Sequence, residues 1–368
     1  MVVITGASSG IGRATAHTFA KAGARLVLAA RSAETLQEVA AECTTHGAQV
    51  IAVPTDISDE SQVQALIHSA VEAFGRIDVC IGGASVYSYG TFETTPPDVF
   101  RRIVETNLFG PVHTARAVLP HFRNQGHGTL ILIGSVYAKI TSPYISPYVT
   151  SKFGLLGFTE VLRQELQKSK HIHICLVLPA TIDTPIYQHA ANYTGKRVHP
   201  LPPVASPHRV ARAIMGNAKR PRPVTVVGQI QRTFVPVHGV FPRFYDRCIN
   251  PVMDLLALRK GPVSPSSGTV FAPDPSSNHV TGNWRSNRIR GFGTAGTILG
   301  LWLILRHRRQ PDHGPRFLVV LRSSGTRSIE KRGRLKRCDT PEGQPLSWWL
   351  ALRRFNVKLR RVNRAPSP

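Results

Sequence analysis

The chain has 368 residues, 42% of them hydrophobic, which allows one large domain with extensions or two ordinary ones and excludes wholesale disorder. Its net charge of +25 is uneven: residues 1–200 hold 16 Lys and Arg against 14 Asp and Glu, whereas residues 201–368 hold 30 against 7. A near-neutral domain is followed by a basic extension. Five scattered cysteines (Cys43, Cys80, Cys175, Cys248 and Cys338) with no CxxC pair argue against a disulfide framework or a zinc site, and for a reducing compartment.

Met1 runs directly into Val2-Val3-Ile4-Thr5, without the basic and long apolar regions of a secretory signal, so a cytoplasmic location is expected. The spacing then predicts strands and helices in alternation. Val2–Thr5 reads as a strand, Ile11–Ala22 as a helix, Leu26–Ala30 as a strand and Ala33–Cys43 as a helix. Val50–Val53, Val79–Ile81, Thr129–Ile133, Ile172–Leu178 and Val224–Val227 are the remaining strands. Glu60–Phe74, a long Val99–Leu119, Tyr148–Leu166 and Pro207–Ala218 are the remaining helices. Seven short apolar strands alternating with amphipathic helices imply an α/β fold, a doubly wound parallel sheet of Rossmann type with helices on both faces.

Beyond residue 230 the pattern weakens. Thr233–Leu258 mixes aromatics with arginines and reads as an amphipathic helix lying on the domain or on a membrane. Pro262–Asn278 reads as a linker, and residues 306–368 as a basic, largely disordered tail. The domain division is therefore 1–230, 231–260 and 261–368. Thr294–Leu305 is too short for a bilayer crossing, which needs ~20 apolar residues, but with Arg306, Arg308 and Arg309 behind it suits peripheral membrane contact.

Thr5-Gly6-Ala7-Ser8-Ser9-Gly10-Ile11-Gly12 sits between the first strand and the first helix. Residues without a Cβ permit a tight turn and close approach of backbone to a pyrophosphate, and the helix N-terminus offers free N–H groups to the anion. After the second strand comes Ala29-Ala30-Arg31-Ser32, with no acid to accept from a ribose 2′-hydroxyl. Arg31, with Arg13 nearby, suits a 2′-phosphate, so NADP(H) is expected over NAD(H); the alternative is that both arginines are solvated surface charges.

Tyr148 and Lys152, at i and i+4, share a helix face. A phenol has a pKa near ~10, and a neighbouring ammonium is expected to lower it. Ser135 follows the strand Thr129–Ile133, at the sheet edge where open α/β folds bind ligands. Asn107, inside the long helix, is either a structural helix-bending amide or the holder of a water beside Lys152.

Together these motifs resemble the short-chain dehydrogenases/reductases over residues 1 to about 230. The resemblance implies a catalytic set of Asn107, Ser135, Tyr148 and Lys152. It also implies a cofactor site of Gly6, Ser8, Ser9, Gly10, Ile11, Gly12, Arg31, Asp56, Ile57, Ala84, Tyr148, Lys152, Pro179, Ile182 and Thr184. Ser135 and Tyr148 would meet the substrate, a small carbonyl or alcohol. Two departures stand out: Ala180 where glycine is usual, and Gly82-Gly83-Ala84-Ser85 where the family has Asn-Asn-Ala-Gly, which predicts a looser sheet centre. Tyr87, Tyr89, Tyr137 and Tyr144, with a lid over Ile186–Pro203, suit an apolar or ring-bearing substrate. The family pairs through its long helices, so a homodimer or homotetramer is expected. A competing reading makes the chain a binding protein that senses cofactor or docks membrane or nucleic acid through its basic tail. The complete set of four argues against it, and a poorly ordered tail with no evolved role, of the kind a shifted reading frame would give, is the plainest account of its composition.

Overall fold

The computed structural model describes residues 1–228 and 231–284, together with the pairs 315–316 and 334–335. The predicted tail segments Thr294–Leu305 and most of 306–368 lie outside the described residues. Two compact units divide at residue 288. In the second, Pro315–Arg316 pairs antiparallel with Arg334–Leu335.

The first unit is built on seven parallel strands: β1 (Val2–Thr5), β2 (Leu26–Ala30), β3 (Val50–Pro54), β4 (Val79–Gly82), β5 (Gly128–Ile133), β6 (Ile172–Pro179) and β7 (Val224–Val227). Their order across the sheet is β3-β2-β1-β4-β5-β6-β7. β1 therefore pairs with β2 on one side and β4 on the other, Ile4 lying opposite both Leu28 and Ile81. Strand order reverses at β1 and β4, and crevices form beyond the strand ends at such a point.

Alternation along each strand feeds two cores. Val2, Ile4, Leu26 and Leu28 pack on one face with Phe19, Leu36, Val39, Val210 and Ile214. These come from α1 (Gly10–Ala20), α2 (Ala33–Thr44) and α7 (Pro207–Lys219). Val3 and Val27 face the other way, onto Leu66, Ile67, Val118, Phe122, Leu155 and Leu162. That layer is α3 (Glu60–Phe74), α5 (Gly110–Gln125) and α6 (Ser146–Glu165). α3 starts where Asp59 accepts from the Ser61 and Gln62 amides, at 2.9 and 3.3 Å, and stops at left-handed Gly75.

The long helix expected over Val99–Leu119 is interrupted. α4 (Pro97–Val104) runs into a π-helical turn, Glu105–Phe109, before α5 begins. Asn107 sits in that turn, and π-turns inside helices often mark functional positions. Upstream, Val99 and Ile103 pack with Val86, Ala191 and Val270. Downstream, Val118 and Phe122 pack on the sheet.

The amphipathic segment after residue 230 is two helices, α8 (Gln231–Val240) and α9 (Pro242–Leu256), broken at Phe241, where Pro242 opens the second. Tyr245, Ile249 and Met253 bury one face of α9 against Tyr87, Val136, Ile140 and Tyr148.

The segment read as a linker is instead laid along the first unit. Leu258–Pro262 pairs with Lys196–Val198, Ser266 exchanges backbone hydrogen bonds with Asn192, and Val270 is fully buried. From Thr269 the chain continues past a 3-10 turn at Pro275–Ser277 to Trp284.

Candidate active site

The turn after β1 uses conformations that only glycine adopts without strain: φ is +70° at Gly6 and +53° at Gly10. A Cβ on Gly6 would lie 2.6 Å from the Ala84 backbone, and one on Gly12 would collide with the Gly6 carbonyl oxygen. Bare backbone therefore lets the turns after β1 and β4 close on each other, with the first turn of α1 in the wall of a large cleft. A pyrophosphate suits such a wall, because the first-turn N–H groups and the positive end of the helix dipole meet there.

The same cleft brings together nearly all the residues singled out by the sequence. Its wall holds Gly6, Ser8, Ser9, Gly10, Ile11, Gly12, Arg31, Asp56, Ile57, Ala84, Ser135, Tyr148, Lys152, Pro179, Ile182 and Thr184. Asn107 lies behind the wall, fully buried. Its Oδ1 accepts from the Val86 amide at 2.8 Å and the Ser85 hydroxyl at 3.0 Å, and its Nδ2 donates to the Val86 carbonyl at 2.9 Å.

Those bonds answer the departure after β4. The loop lacks the expected asparagines, yet Ser85 reaches Asn107, and the Gly83 amide donates to Thr5 Oγ1 at 3.1 Å. A Cβ at Gly82 would come within 2.7 Å of Leu132. The sheet centre is closed by packing where a looser one was expected.

Tyr148 and Lys152 project from the first two turns of α6, and Lys152 is 2% exposed. Its Nζ donates to the Ile133 carbonyl at 3.2 Å and lies 5.3 Å from the centre of the Tyr148 ring. Ser135 follows β5, and its Oγ accepts from the Tyr137 amide at 3.2 Å. The expected lowering of the phenol pKa is reversed. Burial pushes Tyr148 well above the ordinary phenol range, against a hydrogen bond with Ser135 that pulls it down. Burial also pushes the Lys152 ammonium down to about 7. Removing either group from water penalises its charged form, and here that outweighs their proximity.

Aromatic rings wall the space around the phenol. Tyr87 stacks tilted on Tyr148 with centroids 4.3 Å apart, and Tyr137 meets it edge-on at 6.3 Å. Tyr187, Phe234 and Tyr245 line the same cleft. Tyr144 instead turns outward, its hydroxyl donating to Asp254 at 2.7 Å.

At the far end the two arginines part company. Arg31 lines the cleft, but its guanidinium donates to the Thr269 carbonyl at 2.6 Å and the Val270 carbonyl at 3.1 Å. Burial lowers its pKa, with Asp56 opposing. Arg13 is buried away from the cleft on Glu42, at 2.5 and 3.0 Å, and on the Asn278 carbonyl. It is therefore not the second 2′-phosphate ligand expected of it, and the Glu42 carboxyl is held below the usual range chiefly by that guanidinium. Burial would raise the Asp56 carboxyl, but hydrogen bonds from Ser58 and Arg102 outweigh it and hold the group low.

Residues 269–284 were not anticipated at the site. The Gly10 amide donates to the His279 carbonyl at 3.0 Å, and Asn278 Nδ2 donates to Thr35 Oγ1 at 3.0 Å. The Trp284 amide donates to Asp183 at 2.9 Å and its indole to the Thr184 carbonyl at 3.1 Å. Two of these four contacts, like both of those to Arg31, use backbone carbonyls, which leave no signature in side-chain type.

Comparison with known proteins agrees with this geometry. The family profile described as short chain dehydrogenase matches residues 1–193. The oxidoreductase YxnA of Bacillus subtilis (strain 168) is 35% identical over 256 residues, which are 69% of this chain and 72% of that protein. Dehydrogenase/reductase SDR family member 7B of Bos taurus is 35% identical over 203 residues, 54% of this chain and 62% of the relative. The chain thus spans about three-fifths of the length of that mammalian relative. Among solved structures, an alcohol dehydrogenase from the archaeon Thermococcus sibiricus, complexed with 5-hydroxy-NADP, superposes with a TM-score of 0.54 at 26% identity, covering 61% of this chain and 94% of that one. No helix among the described residues is long and apolar enough to cross a membrane. A glycine-lined switch-point crevice, a Tyr-Lys pair on one helix and a family match over more than half the sequence lead to one conclusion: the chain belongs to the short-chain dehydrogenases, a family of oxidoreductases that use a nicotinamide cofactor.

Proposed function

We propose that the protein is an NADP(H)-dependent reductase of apolar or ring-bearing carbonyl compounds, working reversibly on the matching alcohols. The observation that carries this reading is the convergence of Ser135, Tyr148 and Lys152 on the wall of one cleft that also contains the glycine turn. In this reading the backbone of Gly10 to Gly12 holds the pyrophosphate, Asp56 and Ile57 flank the adenine, and Pro179 to Thr184 bound the nicotinamide. When bound, the nicotinamide supplies or accepts the hydride.

The chain's own residues manage the proton. Ser135 donates a hydrogen bond to the substrate oxygen and steadies the charge that grows there. Tyr148 hands its hydroxyl proton to that oxygen in reduction and retrieves it in oxidation. Burial raises the phenol, so in the absence of bound ligands it carries the proton that reduction requires. Lys152, in its ammonium form, steadies the phenolate left when that proton departs, until solvent returns one to it, and Asn107 acts as a positioning residue that fixes the loop at Ser85–Val86. Arg31, with no acid after β2, supports NADP(H), and the rings of Tyr87, Tyr137, Tyr187 and Phe234 support an apolar substrate.

Two surfaces support further partners. Phe109, Phe153 and Val161 lie exposed on the π-turn and α6, as expected of a face that pairs two copies. Val240, Phe244 and Leu255 on α8 and α9, with Phe241 between the two helices, lie exposed beside Arg243 and Arg247, a composition suited to peripheral contact with an anionic lipid surface.

The test is a panel of ketones and aldehydes followed by NADPH absorbance, with NADH as control, on the unaltered chain and Tyr148→Phe. The variant should bind NADPH and lose turnover by at least about a thousandfold. Turnover that survives removes Tyr148 from the proton-transfer role.

A further inference from the structure

The segment Thr269–Trp284 touches the cofactor end of the cleft at several points, each through a group that a dinucleotide would want. Arg31 stands at the C-terminal end of β2, where the 2′-position of an adenosine ribose is read in this type of fold. Two of its N–H groups are already given to the Thr269 and Val270 carbonyls. The Gly10 amide, in the first turn of α1, is given to His279. An N–H has one hydrogen, so a carbonyl and a phosphate oxygen cannot both hold it at full strength.

The segment also brings charge. Asp274 lines the cleft with Arg31, Ser32 and Asp56. It caps the Pro275–Ser277 turn, accepting from the Ser276 amide at 2.9 Å and hydroxyl at 2.6 Å. Its main-chain carbonyl accepts from Asn278, whose side chain is tied to Thr35 at the start of α2. The sequence after β2 lacks an acid, and the fold brings Asp274 into the same cleft from a point more than two hundred residues away.

We propose that Thr269–Trp284 is a specificity determinant for the cofactor: docked, it discriminates against the 2′-phosphate of NADP(H) by engaging Arg31 and presenting Asp274, and so narrows the preference that Arg31 alone would give. The inference rests on the reading of the cleft as a dinucleotide site. Val270, fully buried among Val86, Val99 and Ile103, anchors one end of the segment. Trp284, edge-on to Tyr187 at 6.3 Å and to His199 at 5.2 Å, anchors the other. The span between them, held to the Gly10 amide through the His279 carbonyl, is the part that yields when a phosphate takes that amide.

The test is direct binding of NADPH and NADH to the full chain, read by nucleotide fluorescence, for the unaltered protein, Asp274→Asn and Asn278→Ala. Asparagine caps a helical turn as well as aspartate does, so Asp274→Asn removes charge and keeps the fold. It should tighten NADPH about fivefold, the effect of removing one repulsive charge at the cleft rim, and leave NADH within about twofold. Asn278→Ala cuts the tie to Thr35 and should likewise favour NADPH over NADH. Hydrogen exchange in residues 271–283 should speed up when NADP+ binds. Equal changes for both nucleotides, weaker NADPH binding in either variant, or slower exchange on binding would each overturn the proposal. An unaltered chain that binds neither nucleotide would overturn the dinucleotide reading, and the proposal with it.

Discussion

Lys152 offers a quantitative test of how burial sets the charge of the site. Its ammonium is 2% exposed and pushed from 10.5 to about 7, while in the unfolded chain it titrates as an ordinary lysine. Between those two values the unfolded state binds a proton that the folded state does not, so stability rises with pH across the window from about 7 to 10.5. With ~1.4 kcal/mol per pKa unit, burying this one group costs the fold about 4 kcal/mol at pH 7 and about 2 kcal/mol at pH 9. Lys152→Met retains much of the aliphatic stem and removes the titration. Urea unfolding of the cofactor-free full chain, followed by far-UV circular dichroism at pH 7, 8 and 9, should show the variant ahead at pH 7. Its lead should shrink by about 2 kcal/mol at pH 9. Other titrating groups affect both proteins alike and cancel in the difference. A difference in unfolding free energy that stays flat across these three pH values would refute the argument that burial controls Lys152.

Two further outcomes follow from the geometry. Gly12→Ala should abolish nucleotide binding in a fluorescence titration while circular dichroism stays native-like, because its Cβ meets the Gly6 carbonyl, a backbone atom that cannot step aside. Glu42→Gln should lower stability by about 1–3 kcal/mol in chemical denaturation, since Arg13, 8% exposed, loses a charged partner it cannot replace from water.

Much of the sheet was legible because its signal is local. Val2–Thr5, Leu26–Ala30 and Val224–Val227 are short apolar runs bounded by turn residues, and each is a strand with those limits. The glycine turn was legible because strand, glycines and helix occur in immediate succession, and the Tyr148/Lys152 pair because i and i+4 fix a shared face. The rest depended on distance. Periodicity continues through Val99–Leu119, so it cannot reveal a π-turn whose cause is the anchoring of Asn107 to Ser85 and Val86, about twenty residues upstream. Arg13 reads as a free cation until Glu42, a whole strand away, folds back onto it. Pro262–Asn278 has a linker's composition, and the carbonyl contacts of Thr269 and Val270 to Arg31, like that of the following His279 to Gly10, leave no trace in residue type. The direction of the Tyr148 shift was misjudged because adjacency was visible in sequence and burial was not.

The interruption at Glu105–Phe109 divides one continuous rod between two masters. Residues before it are held by the loops around Val86 and Val270, and residues after it by the sheet. An extra residue in a turn rotates everything beyond it by about 100° relative to a straight helix, which is how one rod presents its oily side in two directions. Asn107 stands at the pivot, tied to the loop at Val86 and within reach of Ser151 on α6 at 3.4 Å. A shift of the substrate-side loops therefore reaches the helix that carries the tyrosine through this buried amide as well as through the Tyr87 ring stacked on Tyr148.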